Sequence, residues 1–154
     1  MTAPAAPDRL RPVLRPATPA DAGAVAALLE ALGYPCSRED AAQRIAVVED
    51  DPTQTLLVAD HHGDLCGLLA LDFMYYLPLG RRTCRITALV VAEDHRDRGI
   101  GRALLREAER RARAAGAARI EVTSADHRTR AHAFYRACGY GGGSVRLVKR
   151  LGEA

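Results

Sequence analysis

The fold is decided by residues 86–105, which read ITALVVAEDHRDRGIGRALL. The segment begins as an apolar run typical of a buried strand, passes through a charged turn and ends in a glycine-rich entry into a helix. The first amides of such a helix have no partner within it and point outward at the positive end of the helix dipole. Gly99 and Gly101 lack Cβ atoms, so a phosphate can approach this backbone closely. The segment therefore predicts an anion-binding site.

Three arginines add positive charge around the predicted anion site: Arg96, Arg98 and Arg102. A hydrogen bond from an amide to a charged phosphate contributes about 1.5–3 kcal/mol, so a few such bonds would dominate the binding of a pyrophosphate. Two common nucleotide motifs are excluded, because the chain has neither the GxxxxGK(S/T) of a P-loop nor a GxGxxG early in a strand–helix–strand unit. A glycine pair alone would also suit a helix that merely begins after a glycine-rich turn.

The composition is that of an ordinary globular protein. The chain has 154 residues, 48% apolar and 27% charged, which fits a single domain over residues 11–154 after a flexible lead over residues 1–10. The N-terminus lacks the apolar core of a signal peptide, and no apolar run reaches the roughly 18 residues of a membrane span. We therefore expect a cytoplasmic protein with no membrane partner. The four cysteines and five histidines lack metal-ligand spacing, which predicts buried, reduced thiols and no metal.

The net charge of +3 and the basic stretch over residues 102–116 raise nucleic-acid binding as an alternative. Glu107 and Glu109 interrupt the arginines of this stretch, and no aromatic residue stands among them for base stacking. We therefore interpret the stretch as a solvated helix face and expect no nucleic-acid partner.

The whole chain predicts the element order β-α-α-β-β-β-α-β-α-β. Thr18 with Asp21 and Ser37 with Asp40 have the spacing of helix-capping boxes, and Gly33 ends the first helix. Strands are predicted over residues 13–17, 54–59, 65–77, 83–92, 119–123 and 144–150, and the two later helices over 99–115 and 129–138. Because strands alternate with helices in the second half, we expect a mixed α/β sheet covered by helices.

Two motifs resemble those of one enzyme family. Arg96-x-x-Gly99-x-Gly101 is similar to the Q/R-x-x-G-x-G/A signature of the GNAT acetyltransferases, at the head of a helix that follows a buried strand. Residues 132–140, HAFYRACGY, resemble the F-Y-x-x-x-G-F/Y ending of the same family. The resemblance covers about residues 11–150 and implies the GNAT-type acyl-CoA N-acyltransferase fold, a central mixed sheet of six to seven strands flanked by four helices.

The resemblance implies acetyl-CoA as co-substrate and direct attack of an amine on the thioester within a ternary complex. In the family, the loop amides hold the CoA pyrophosphate, and the strand before the loop pairs with the pantetheine arm. The matching positions here are Leu89, Val90, Val91, Arg96, Asp97, Arg98, Gly99, Ile100, Gly101, Arg102 and Ala103. Tyr135 matches the family's usual general acid, which gives a proton to the departing thiolate.

The general base is left open by the sequence. Some family members carry a glutamate on the strand before the CoA loop, where this chain has Arg85 and Thr87. The carboxylates near the motif are Glu93, Asp94 and Asp126. Each of them suits a surface or capping role equally well, and a base relayed by water is a further alternative. Arg128 stands where the family often has asparagine, and it either contacts a CoA phosphate or faces solvent.

Acceptor choice in the family comes largely from the loop between the first two helices and the hairpin loop before the CoA strand. These loops correspond to residues 32–37 and 74–82, and their tyrosines are acceptor contacts or ordinary half-buried aromatics: Tyr34, Tyr75 and Tyr76. They favour a small-molecule primary amine, such as an aminoglycoside, an amino acid or a polyamine. A protein N-terminal or lysine acetyltransferase and a non-catalytic acetyl-CoA sensor are the alternatives.

The C-terminal part of the chain is short for the family. After Tyr140 there is room for one strand, whereas many relatives have two. The sheet would then have an exposed edge that a second subunit could cover. The sequence is therefore compatible with both a monomer and a homodimer.

Overall fold

The computed structural model describes residues 11–125 and 127–152. The predicted N-terminal lead, residues 1–10, lies outside them. The described residues fall into two compact units that divide between Thr123 and Ser124. No helix in these ranges is long and apolar enough to cross a membrane.

The first unit is built on a mixed sheet. Its elements are β1 (Val13–Pro16), α1 (Ala22–Leu32), α2 (Arg38–Glu49), β2 (Gln54–His61), β3 (Asp64–Tyr76), β4 (Arg81–Val91), α3 (Ile100–Ala114) and β5 (Ile120–Val122). The strands lie in the order β1-β2-β3-β4-β5, and all neighbours are antiparallel except β4 and β5, which are parallel. The second unit contains α4 (Thr129–Ala137). The predicted mixed α/β architecture with four α-helices is therefore confirmed.

The predicted strand count is wrong for the described residues. The sheet has five strands rather than six to seven, and residues 144–150, predicted as the last strand, form neither helix nor strand. The alternating apolar pattern of that segment is real, but a strand also requires a hydrogen-bonded neighbour. The segment has no such neighbour within the part of the chain that the structure describes.

The capping signals act where the sequence placed them. The Ser37 hydroxyl accepts a hydrogen bond from the Asp40 amide at 3.0 Å, and the Asp40 carboxylate accepts one from the Ser37 amide at 3.1 Å. Before α1, the Thr18 amide donates to the Asp21 carboxylate at 2.8 Å. Gly33 ends α1 with a left-handed φ of 103°. The bonds between Ser37 and Asp40 satisfy amides that a helix leaves without internal partners and fix where α2 begins, whereas the Thr18–Asp21 bond caps a short 3-10 turn, Pro19–Asp21, that leads into α1.

Helices cover both faces of the sheet. Val25 of α1 and Ile45 of α2 pack in one buried cluster with Leu68 of β3. The preceding residue, Gly67, points to the opposite face because successive residues of a strand alternate. On that face Gly67 lies against α3. The core therefore holds the start of α3 against the centre of the sheet, directly beyond the end of β4.

Candidate functional site

The loop from β4 to α3 has an unusual backbone. A short helical turn, Glu93–His95, follows β4. The chain then adopts positive φ angles at Asp97 (63°) and at Gly99 (82°) before α3 begins at Ile100. Glycine enters this left-handed region without strain, and aspartate does so more readily than most residues. The two left-handed positions aim the chain into the first turn of α3.

The first turn of α3 leaves its amides available. Its first helical bond runs from the Ala103 amide to the Gly99 carbonyl at 3.0 Å. Within the described residues, the amides of Ile100, Gly101 and Arg102 have no hydrogen-bond partner. These groups lie at the positive end of a helix that spans 15 residues. The arrangement is suited to binding a phosphate or pyrophosphate through the backbone.

The arginines around this turn form no ion pairs within the described residues. Three exposed arginines lie in or beside the loop and form no ion pair within the described part of the chain: Arg96, Arg98 and Arg102. An arginine engaged with a carboxylate would have to leave that partner before it could bind a phosphate. Because these guanidinium groups are free, they are available to a polyanion.

The end of β4 has a free edge beside the loop. On one side Leu89 and Val90 pair with Leu69 and Leu68 of β3. On the other side β5 pairs with β4 only at Cys84, Arg85 and Ile86. The described residues therefore provide no strand partner for positions 89–91 on the β5 side. An unpaired strand edge offers amide and carbonyl groups to a ligand that carries amides of its own.

His95 forms contacts with two carboxylates that the sequence analysis did not predict. Its Nε2 lies 3.2 Å from the Asp64 carboxylate at the start of β3, and its Nδ1 lies 3.3 Å from the Asp94 carboxylate. Only 12% of the His95 side chain is exposed. The imidazole therefore ties the loop before α3 to the β2–β3 hairpin. Nothing in the local sequence pattern indicates this, because Asp64 lies about 30 residues away in the chain.

The sequence analysis also did not identify Gly67, although this residue determines how closely α3 approaches the sheet. A Cβ atom at Gly67 would lie 3.0 Å from Leu104 Cδ1 and 3.2 Å from Ile100 Cγ2. Both side chains belong to the first turns of α3 and are fully buried. A side chain at residue 67 would therefore displace the helix start that carries the free amides.

We expect Gly67→Ala to weaken acetyl-CoA binding and to lower the free energy of unfolding by about 1–3 kcal/mol, because the added methyl overpacks the contact with α3. Calorimetry with acetyl-CoA and urea unfolding measure the two effects. Gly23→Ala is the matched control, since a Cβ atom at that exposed position has no heavy atom within 4 Å. A Gly67→Ala protein with unchanged affinity would show that the helix start does not depend on this contact.

Tyr135 and Arg128 lie in the second unit. Tyr135 is on α4, is buried, and packs against the rings of Phe134 and Tyr140 at centroid distances of 5.3 and 5.8 Å. Burial raises the pKa of its phenol, and the charge of Arg128 offsets part of that effect. Arg128 itself is half-buried at the N-terminus of α4. A buried phenol with a raised pKa stays protonated at neutral pH and keeps a proton to donate.

The three candidate acceptor tyrosines are not joined by ring contacts among the described residues. Tyr34 follows α1 and is 66% exposed. Tyr75 and Tyr76 end β3, where Tyr75 pairs with Arg82 and Tyr76 with Arg81 of β4. The guanidinium of Arg119 also lies 4.6 Å above the Tyr76 ring. The end of the β3–β4 hairpin therefore combines aromatic rings with positive charge.

No carboxylate on β4 is available as a base. Arg85 forms an ion pair with Glu121 of β5 at 2.7 Å, and Arg119 adds a second contact to Glu121 at 3.6 Å. Glu93 and Asp94 are exposed in the loop, and Asp126 lies outside the described residues. The base therefore stays unassigned.

The cysteines divide into two groups. Cys66 and Cys84 are buried, whereas Cys36 and Cys138 are half-buried, so the prediction of buried thiols holds for two of the four. Burial raises the pKa of Cys84 to about 11 and also raises that of Cys66. These two thiols are therefore protonated at neutral pH and unreactive. Among the described side chains, no group of three or more His, Cys, Asp or Glu residues is arranged to hold a metal.

Within the described residues, a mixed sheet whose fourth strand has an unpaired edge and runs into a helix with free amides suits an acyl-CoA-dependent acyltransferase. Residues 24–140 match the family model of the Acetyltransferase (GNAT) family. The chain therefore belongs to the GNAT family and is an acetyl-CoA-dependent N-acetyltransferase. The resemblance carried by the two motifs is confirmed.

Comparisons with known proteins agree on the fold and add one relative of known substrate. The chain is 32% identical to the aminoalkylphosphonate N-acetyltransferase of Salmonella typhimurium over 143 residues, which is 90% of each chain. It superposes on a putative acetyltransferase from Agrobacterium tumefaciens with a TM-score of 0.80 and 26% identity, covering 90% of this chain and 99% of that one. A transcriptional regulator from Bacillus halodurans shares the fold with a TM-score of 0.84 and 22% identity, covering 92% and 100%.

Proposed function

We propose that this chain transfers the acetyl group of acetyl-CoA to the primary amine of a small molecule that carries a phosphonate or similar acid group. The observation that carries the proposal is the start of α3, where three free amides lie among three unpaired arginines. The acceptor class is supported by the Salmonella typhimurium relative, whose name specifies aminoalkylphosphonates and whose similarity extends over 90% of both chains.

The end of the β3–β4 hairpin supplies a chemical reason for an acidic acceptor. Arg81 and Arg82 are exposed there and have no side-chain partner within the described residues. Because Arg82 lies directly opposite Tyr75, the two side chains share one face of the sheet. A planar guanidinium can bind two oxygens of a phosphonate at once, and the neighbouring ring can pack against a short alkyl chain.

We assign the remaining roles from the resemblance of this chain to its family. The amides of residues 97–102, with Ala103 beside them, hold the pyrophosphate, and residues 89–91 of β4 pair with the pantetheine arm. Tyr135 gives its proton to the departing thiolate, and Arg128 is a further phosphate contact. An alkyl amine with a pKa of about 10.4 is neutral in only about one molecule in 2,500 at pH 7, a deficit of about 4.6 kcal/mol. A site that lowers the amine pKa or provides a base offsets this deficit.

The proposal is tested by a matched series of acceptors. We expect release of CoA thiol to be fastest with aminomethylphosphonate, slower with glycine, and at least about tenfold slower in kcat/KM with methylamine, which has the amine but no acid. An aminoglycoside, a polyamine and a peptide with a free N-terminus complete the panel. A faster rate with the peptide or with methylamine would contradict the acidic acceptor. Acetyl-CoA binding without turnover of any amine would indicate a sensor instead.

The same assay tests the proposed contact between Arg82 of the β3–β4 hairpin and the acid group of the acceptor. We expect Arg82→Gln to raise KM for aminomethylphosphonate by at least about tenfold, since the variant loses at least one of two charge-assisted hydrogen bonds, and to leave kcat/KM for methylamine unchanged. Arg106→Gln is the matched control, because Arg106 is also exposed but lies on α3. An equal rise in KM in both variants would indicate a general effect of surface charge rather than a contact at the hairpin.

A further inference from the structure

The loop between β4 and α3 is fixed to the rest of the first unit at few places. At its start, the Ala92 amide donates to a carbonyl of β3 at 2.9 Å. At its end, the first turns of α3 pack on Gly67. Between these places, among the described residues, the only polar contact from a side chain of residues 93–99 to another element joins His95 Nε2 to the Asp64 carboxylate.

The backbone of this loop needs support because it is strained. Asp97 has a φ of 63°, in the left-handed region that favours glycine. Neither its amide nor its carboxylate has a hydrogen-bond partner within the described part of the chain. A residue in such a conformation persists only where the surrounding structure holds it. His95 precedes Asp97 by two positions, so its contact with Asp64 holds the chain on one side of the strain, and α3 holds it on the other.

The two carboxylates beside the His95 ring are not equivalent. Asp64 belongs to β3 and lies 3.2 Å from Nε2, whereas Asp94 is the preceding residue of the loop itself and lies 3.3 Å from Nδ1. The ring is largely enclosed, while the Asp64 and Asp94 side chains are 65% and 84% exposed. Only the contact with Asp64 joins the loop to another element of the fold.

We propose that His95 is a positioning residue, which through Asp64 holds the loop in the conformation that turns the amides of residues 97–102 toward the pyrophosphate of acetyl-CoA. The role rests on the proposed binding of the pyrophosphate by this loop, and neither His95 nor Asp64 touches the ligand. Loss of the contact lowers the fraction of molecules with a competent loop, and the Kd for acetyl-CoA rises in proportion. The turn of the β2–β3 hairpin therefore controls affinity at the CoA loop.

Two carboxylate variants test this role. Asp64→Ala is expected to raise the Kd for acetyl-CoA at least about threefold, as measured by calorimetry. Asp94→Ala is the matched control and is expected to cause no rise, because the contact it removes lies within the loop. Each variant removes one exposed carboxylate from beside His95, and the loss of a negative charge by itself favours a polyanion. Equal Kd values in the two variants would overturn the proposal.

A second pair of variants separates the two nitrogens of the ring. The amide nitrogen of His95→Gln can occupy the position of Nε2 beside Asp64, whereas that of His95→Asn reaches only the position of Nδ1. We expect His95→Gln to keep an acetyl-CoA affinity close to the native one and His95→Asn to weaken it as Asp64→Ala does. Equal losses in both variants would mean that the packing of the ring, rather than its contact with Asp64, supports the loop.

A shortened ligand separates the role of His95 from the assignment of the pyrophosphate. S-acetyl-pantetheine has the thioester and the amides of acetyl-CoA but no pyrophosphate. We expect the native protein to prefer acetyl-CoA and Asp64→Ala to lose affinity for acetyl-CoA alone. If the native protein binds both ligands equally, the pyrophosphate assignment fails, and the role of His95 fails with it. If the native preference for acetyl-CoA persists undiminished in Asp64→Ala, only the role of His95 is wrong.

Discussion

Replacing Tyr135 with phenylalanine is expected to lower kcat for amine acetylation by at least about tenfold and to leave the Kd for acetyl-CoA unchanged. The substitution removes only the hydroxyl, so the ring contacts with Phe134 and Tyr140 persist. The thiolate of a thiol with a pKa of about 8.5 takes a proton from an ordinary phenol at a cost of about 2 kcal/mol, and the raised pKa of the buried Tyr135 phenol makes this cost larger. Without the phenol, the thiolate would have to leave as an anion.

The pH dependence gives a second readout of the same role. Burial raises the pKa of the Tyr135 phenol above its ordinary value of 10. The acid must be protonated to act, so activity of the native protein is expected to persist below that raised pKa and to fall as the pH rises through it. The Tyr135→Phe protein has no such group and is expected to lose this alkaline decline.

Tyr140→Phe is the control for Tyr135→Phe, because it removes a hydroxyl from the neighbouring ring and keeps the packing. We expect it to retain most of the native kcat. If both variants lose activity to the same extent, the tyrosine pair acts through packing or local structure. If Tyr135→Phe turns over at the native rate, the assignment of Tyr135 as the acid is wrong.

Local sequence signals predicted most of the fold. The capping boxes at Thr18 and Ser37 depend on residues three positions apart, so they can be recognised without knowledge of the tertiary structure. The helix predicted over residues 99–115 is observed as Ile100–Ala114, because glycines stand just outside both ends. The loop at the start of this helix was predicted for the same reason, since its glycines and its free amides lie in one contiguous stretch of backbone.

Features that depend on distant residues were not predictable in this way. In the sequence alone, Gly67 is only a residue that is unfavourable within an apolar strand. The close approach of α3 in the structure shows why a side chain is excluded at this position. His95 acts through Asp64, a residue of another hairpin. The segment at residues 144–150 has a strand pattern, but pairing depends on whether a neighbour is present. Strand formation at the C-terminus is therefore decided outside the local sequence.

The largest effect on acetyl-CoA binding is expected from Gly99→Val. Gly99 has a φ of 82° directly before α3, and a β-branched residue is strained there by about 1–2 kcal/mol. To relieve the strain the turn must rotate, which redirects the amides of Ile100 and Gly101. Loss of two amide–phosphate bonds at about 1.5–3 kcal/mol each corresponds to a rise in Kd of at least about 100-fold. Calorimetric titration with acetyl-CoA measures this rise in Kd.

The opposite end of the same helix provides the control that separates binding from stability. Gly116 follows α3 with a φ of 72°, and a Cβ atom there has no heavy atom within 4 Å. Gly116→Val therefore introduces similar backbone strain at the end of α3 that carries no free amides, and both variants are expected to lose similar stability on heating. Only Gly99→Val should lose affinity for acetyl-CoA. Equal affinities in the two variants would mean that the first turn of α3 does not hold the pyrophosphate, and the assignment of residues 97–102 would fail with it.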